Sequence, residues 1–154
     1  MDQGKRKAAT WAFALYCAVM LWLLFARSGG IAGVDYWQQV QMNLNLEPLH
    51  TIRLFLRVLT GDFSEYYVRL AVVNLFGNVG MFIPLGFFLP VLWPGLRKWW
   101  RTWLVTLGIM TLVELAQMFS LRGTCDVDDL ILNLAGAAVG YGIFCLAWKW
   151  IKTE

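Results

Sequence analysis

A chain of 154 residues that is 59% hydrophobic and 15% charged is too apolar for an ordinary soluble domain, where about half the residues are apolar and about a quarter charged. Its net charge of +3 would suit an anionic partner, but most of its basic residues flank apolar blocks on one side, a topology signal that argues against nucleic-acid binding. Those blocks approach bilayer length, which places the chain among membrane proteins.

The first block runs from Ala8 to Ala26 behind Lys5, Arg6 and Lys7 and carries no charge. The layout resembles a signal peptide. At about 18–19 residues, however, the block is longer than a usual signal core, and 27–33 offers a weak cleavage site. An uncleaved first transmembrane helix, about 8–26, is the expectation. The connection from Arg27 to Arg69 is long enough to hold structure of its own. In Thr51–Leu59, Arg53 and Arg57 share one helical face and Ile52, Phe55, Leu56 and Leu59 another. Such a helix either lies in the membrane interface with its arginines towards phosphates or packs on the spans as a loop helix.

The second span, about 70–93, contains Asn74, Asn78, Pro84 and Pro90 with Gly77, Gly80 and Gly86. Pro84 removes a backbone hydrogen bond and is expected to kink it. Leu92-Trp93-Pro94-Gly95 ends this span. The third span is expected at about 103–121 and the fourth at about 129–150. Several of the nine Trp stand at segment ends, where indoles favour the headgroup region. Cys17, Cys125 and Cys145 form no paired framework and read as small apolar fillers. Together these features predict one all-α membrane domain over 1–154, a four-helix bundle with a structured loop at 27–69.

Orientation follows from the basic residues. With the N-terminus inside, Lys5, Arg6, Lys7, Arg97, Lys98, Arg101, Lys149 and Lys152 are all cytoplasmic. The long loop and the Arg122–Asp128 loop then face outward, carrying the other five of the thirteen basic residues. The positive-inside rule favours this arrangement, with both termini in the cytoplasm.

A polar group in hydrocarbon costs several kcal/mol unless partnered, so polar residues inside spans mark candidate sites. Asn74 and Asn78 share a face of the second span, and Glu114 and Gln117 share a face of the third. Asp126, Asp129, Asn133, Gly136 and Gly140 follow a helical spacing that runs a polar stripe into a small-residue stripe. At 1.5 Å per residue, Asn78 lies about 12 Å, Glu114 about 10 Å and Asn133 about 6 Å below the outer ends of their spans. All three sets therefore converge on the outer half of the bundle.

The candidate ligand-binding set is Asn74, Asn78, Glu114, Gln117, Arg122, Asp126, Asp129 and Asn133, with Glu114, Asp126 and Asp129 as the candidate acid–base groups. The amides would equally serve as interhelical hydrogen bonds, and Arg122 as an interfacial anchor. His50 is the only histidine, so a multi-histidine metal centre is excluded. No nucleophile elbow or phosphate loop is present. No cofactor is implied, although an oxygen-ligated divalent cation fits this chemistry.

Asn74-Leu-Phe-Gly-Asn78-Val-Gly-Met-Phe-Ile-Pro84-Leu-Gly86 resembles the Asn-x-x-x-Asn…Phe-x-Pro-x-Gly signature of the VanZ-like family. Glu114-Leu-Ala-Gln117, followed by Asp126-Val-Asp-Asp129-Leu-Ile-Leu-Asn133-Leu-Ala-Gly136, resembles it as well. So does Asn45-Leu-Glu-Pro48-Leu-His-Thr51-Ile52, although Leu49 replaces the usual Phe. Arg122 stands four residues ahead of Asp126, where the pattern's arginine often stands three ahead.

The resemblance covers nearly the whole chain. It implies a bacterial cell-membrane protein, multi-pass, whose family namesake is linked to low-level resistance to teicoplanin-type lipoglycopeptides. The expected partners are membrane lipids and a lipid-linked cell-wall precursor or the lipoglycopeptide itself, with no nucleic acid. A non-enzymatic binding protein is the leading expectation. The alternative is an intramembrane enzyme acting on a polyprenyl-linked or phospholipid substrate through Glu114 and Asp126/Asp129.

Overall fold

Charged residues end an apolar block but not a helix, because backbone hydrogen bonding continues through them. The computed structural model, which describes residues 2–26 and 29–152, accordingly has longer helices than the apolar blocks predict. Helix α1 spans Gln3–Phe25 and starts five residues before Ala8, capped by the Asp2 carboxylate on the Gly4 and Lys5 amides. A short helix α2 (Tyr36–Met42) and a strand β1 (Leu44–Asn45) precede α3 (His50–Thr60). Then come α4 (Glu65–Leu92), a 3-10 turn at Pro94–Leu96, α5 (Trp99–Phe119), strand β2 (Cys125–Asp126) and α6 (Val127–Lys152).

Four of these helices, α1, α4, α5 and α6, are long and apolar enough to cross a membrane. Their outer surfaces suit hydrocarbon: on α1, Trp11 is 76% and Trp22 68% exposed. A soluble protein does not leave such an array uncovered. Cys145 is also exposed, so it is no core filler, and the three cysteines are free.

Helix α4 is the hub of the bundle. It runs uninterrupted through both Pro84 and Pro90. Each proline deprives only the carbonyl four residues back of its donor, which a helix within a bundle tolerates. Parallel to α4 and in backbone contact with it lies α6. A Cβ on Gly136 would overlap the Val79 carbonyl, one on Gly140 the Ile83 carbonyl, and one on Gly86 the Ala137 carbonyl. Small residues permit this approach, which replaces the hydrophobic drive that lipid removes. On its other side α4 buries Phe82, Leu85 and Leu89 with Met20 of α1 and Met110 of α5. The Tyr16 hydroxyl donates to the Met81 carbonyl at 2.9 Å and fixes α1 against α4.

The 29–64 segment folds over one end of the bundle. The Asp35 carboxylate caps α2 through the Trp37 and Gln38 amides. Buried Gln39 braces the preceding turn, accepting from the Ile31 amide at 2.6 Å and donating to the Val34 carbonyl at 2.8 Å. Strands β1 and β2 pair in parallel, Leu44 with Cys125 and Asn45 with Asp126. This small sheet clips the segment to the turn between α5 and α6.

Candidate functional site

Four helix segments meet at the clipped end of the bundle. They are the last turn of α1, the second quarter of α4, the last turns of α5 and the first turns of α6. Between them lies a cavity of about 110 Å³, and six of the eight predicted residues line it: Asn74, Asn78, Glu114, Gln117, Asp129 and Asn133. Leu23, Leu24 and Met81 complete its wall. The convergence expected from helix periodicity alone is therefore present as a shared space.

Three of the four amides, Asn74, Asn78 and Gln117, have a structural bond as well as a place on the wall. Asn78 Nδ2 donates to Asp129 Oδ1 at 2.5 Å, joining α4 to α6. Gln117 Nε2 donates to the Leu24 carbonyl at 2.9 Å, joining α5 to the end of α1. Asn74 Nδ2 returns to the Leu70 carbonyl of its own helix at 2.8 Å. Asn133 differs from these. It is 4% exposed, and its Oδ1 is buried without a hydrogen-bond partner. An unsatisfied buried acceptor costs about 1–3 kcal/mol, so its presence on a cavity wall is the least expected feature of the site.

Two predicted residues stand outside the cavity. Arg122 lies beyond the end of α5, where its guanidinium donates to the Phe25 carbonyl at 2.5 Å. That contact holds the end of α1. Asp126 is the N-cap of α6. Its Oδ1 accepts from the Asp128 amide at 2.8 Å, and its Oδ2 accepts from Thr51 Oγ1 at 2.7 Å and Asn45 Nδ2 at 3.0 Å. Its own amide donates to Glu114 Oε2 at 3.3 Å. With both carboxylate oxygens engaged, Asp126 organises the clip next to the cavity.

Sequence reasoning missed Asp128, which is fully buried. Its carboxylate accepts from the Leu49 amide at 2.5 Å and the Ile52 amide at 3.0 Å. Helix α3 has no cap of its own, because its N-cap residue is Leu49 in a left-handed conformation at φ 65°. A leucine rarely holds that conformation without external restraint. Asp128 supplies the restraint and an anion at the positive end of the α3 dipole. Thr51 and Asn45 were recognised only as part of a motif, and here they are the partners of Asp126.

Thr51→Val removes a charge-assisted donor to Asp126 and should lower stability by about 1.5–3 kcal/mol. Thr51→Ser should retain most of it. Thermal unfolding in detergent measures both, and equal losses would refute the hydroxyl's role.

Cys125 adjoins Asp126 in the β2 strand. Burial pushes its thiol above the ordinary value, and the charges of Glu114 and Asp126 push it further. A raised thiol is a poor nucleophile. Among the described residues, no group of three or more His, Cys, Asp or Glu side chains is placed to hold a metal ion.

No curated protein and no solved structure matches the chain. The model of the VanZ/LLP1 family matches residues 13–148, a stretch that contains every cavity residue and reaches into all four long helices, and the chain belongs to that family.

Proposed function

We propose that this membrane protein sits in the bacterial cell membrane with both termini in the cytoplasm, so that the cavity lies in the outer leaflet. There it binds part of a lipid-linked envelope component or of a lipoglycopeptide, and contributes to teicoplanin-type resistance. The observation that carries this reading is the buried, unpartnered Asn133 Oδ1 on a cavity that also exposes the Glu114 and Asp129 carboxyl groups. Buried acceptors are nearly always hydrogen-bonded in native structures, so an unfilled one on a polar cavity calls for an explanation. At about 110 Å³ the cavity is well below the roughly 300–1,000 Å³ of a drug-sized site. It fits a fragment of a head group, with the rest of the molecule remaining in the membrane.

Expression in a glycopeptide-sensitive bacterium provides the test. The wild-type chain should raise teicoplanin tolerance, and Glu114→Ala or Asp129→Ala should return it to the host's level while membrane amounts stay unchanged. Tolerance untouched by either substitution would sink the idea.

The two carboxyl groups facing one cavity also favour a second reading, an intramembrane enzyme acting on a polyprenyl-linked or phospholipid substrate through Glu114 and Asp129. Turnover of labelled envelope lipids by the purified protein, with and without EDTA, separates enzyme from binder. Asp126 has no part in either reading except to hold the clip.

A further inference from the structure

At the end of the bundle opposite the clipped one, α1 and α5 both pack on α4, yet few of their residues approach each other. A slot of about 560 Å³ lies between them, within the roughly 300–1,000 Å³ of ligand-sized sites. Phe13 of α1 forms one wall, Val105 and Ile109 of α5 the other, and Leu89 of α4 the floor. Leu89 is buried and the wall residues are half-buried, so the slot is an indentation rather than a flat apolar face. The 3-10 turn at Pro94–Leu96 bounds one end. Trp93 stands there too, its ring edge-on to Phe13 at 5.5 Å between centroids.

The slot has a direction. Trp93, Trp99, Trp100 and Trp103 are all exposed around the turn, and indoles gather at the headgroup level. From Arg101 at that level, Ile109 lies about 12 Å along α5. That is most of one leaflet, half of a hydrocarbon core about 30 Å thick. An apolar slot that starts at the headgroups and follows the leaflet inward matches the path of a lipid chain.

Its headgroup end is basic. The Arg101 guanidinium donates through Nη1 to the carbonyl of Gly95, a slot residue, at 3.0 Å. Among the described residues that bond takes one of its five N–H donors, and Lys98 is three residues earlier. Arg97 is engaged elsewhere: its Nε donates to the Pro90 carbonyl at 3.4 Å, and its guanidinium covers the Trp148 ring. A phosphate only accepts hydrogen bonds, and arginine offers it a fork of donors. Basic pockets between transmembrane helices are a setting in which anionic head groups are held.

We propose that the slot between α1 and α5 holds one acyl chain of an anionic phospholipid, its phosphate hydrogen-bonded by Arg101 beside the Gly95 turn. A zwitterionic lipid brings the same chain but adds a cation that Arg101 and Lys98 repel, so the site discriminates by charge. It is separate from the polar cavity at the clipped end and stands or falls independently of what that cavity binds. In the orientation proposed above it belongs to the cytoplasmic leaflet.

Native mass spectrometry of the purified full-length chain in detergent, with equimolar phosphatidylglycerol and phosphatidylcholine of matched chains, provides the test. Phosphatidylglycerol adducts should exceed phosphatidylcholine adducts by at least about fivefold, the preference that one basic residue supplies near an anionic surface. Arg101→Gln should lower that ratio by about fivefold. Arg53→Gln, an exposed position at the other end of the bundle, should leave it unchanged. Ile109→Trp should fill the slot and remove most adducts of both lipids, and Val105→Phe repeats the block if that variant fails to fold.

Equal binding of the two lipids by the wild-type chain, or a ratio that Arg101→Gln leaves intact, would overturn the proposal. An equal loss in Arg53→Gln would reduce the preference to diffuse charge attraction and overturn it as well. Phosphatidylglycerol adducts undiminished in a folded slot-filling variant would place the lipid elsewhere. A dimer that Ile109→Trp converts to monomer would put a second copy of the chain in the slot instead of a lipid.

Discussion

Gly136→Leu should leave little correctly folded protein. The new side chain would start where the Val79 carbonyl already lies, and a backbone atom cannot rotate aside as a flexible side chain can. Overpacking in ordinary cores costs about 1–3 kcal/mol. Here α4 and α6 must move apart along their whole contact, so the loss belongs at or above the top of that range. Gly140→Val meets the Ile83 carbonyl in the same way. Fluorescence-detected size exclusion and thermal unfolding in detergent measure both. The controls are Gly80→Ala and Gly142→Ala, positions with open space around the added methyl. Alanine is the better helix former by about 0.8–1 kcal/mol, so neither control should lower the midpoint. If Gly136→Leu melts with them, the close helix contact is not what holds the bundle.

Asp128→Ala should be the most damaging change at the clipped end of the bundle. It strips the Leu49 and Ile52 amides of their acceptor and leaves the left-handed Leu49 backbone unsupported. Two partly buried donors left unmade cost about 1–3 kcal/mol together, since Leu49 retains some contact with water. Amide hydrogen exchange should accelerate across 44–52, while the helices of the spans remain protected. Asp128→Asn keeps one acceptor oxygen and should lie between the two. Unaltered exchange at Leu49 and Ile52 in Asp128→Ala would disprove the capping role.

These two predictions differ in how far the sequence foreshadows them. The glycine stripe of α6 was visible in the spacing of Gly136 and Gly140, because helical periodicity states which residues share a face. The polar cavity was visible for a related reason. Polar groups are so costly in hydrocarbon that Asn78, Glu114 and Asn133 at similar depth imply one meeting place. Nothing comparable marks Asp128. Its partners are backbone amides 79 and 76 residues away, and a backbone amide has no residue type to form a pattern. The β1–β2 pair is equally silent, at two residues per strand and without alternation to read.

Asp126 illustrates the opposite failure. Its spacing to Asp129 placed it on the polar stripe. Position one residue before the helix made it a cap instead, facing Thr51 and Asn45. Helix α2 left a fainter trace. Asp35 before Tyr-Trp-Gln-Gln-Val is an N-cap signal, but about two turns of helix carry too little periodicity to stand out in a long loop.

The clip between the 29–64 segment and the α5–α6 turn also sets an order of events during synthesis. Asn45 is synthesised after one long helix, yet its partner Asp126 lies 81 residues later. At about 5–20 residues per second, that interval is roughly 4–16 s. During it, α4 and α5 must both cross before the carboxylates of the turn reach the waiting segment. Thr51 and the amide end of α3 have no anion to receive them until then. Locking of the 29–64 segment thus waits for the third long helix, and a chain halted after Phe119 would carry α3 without its cap.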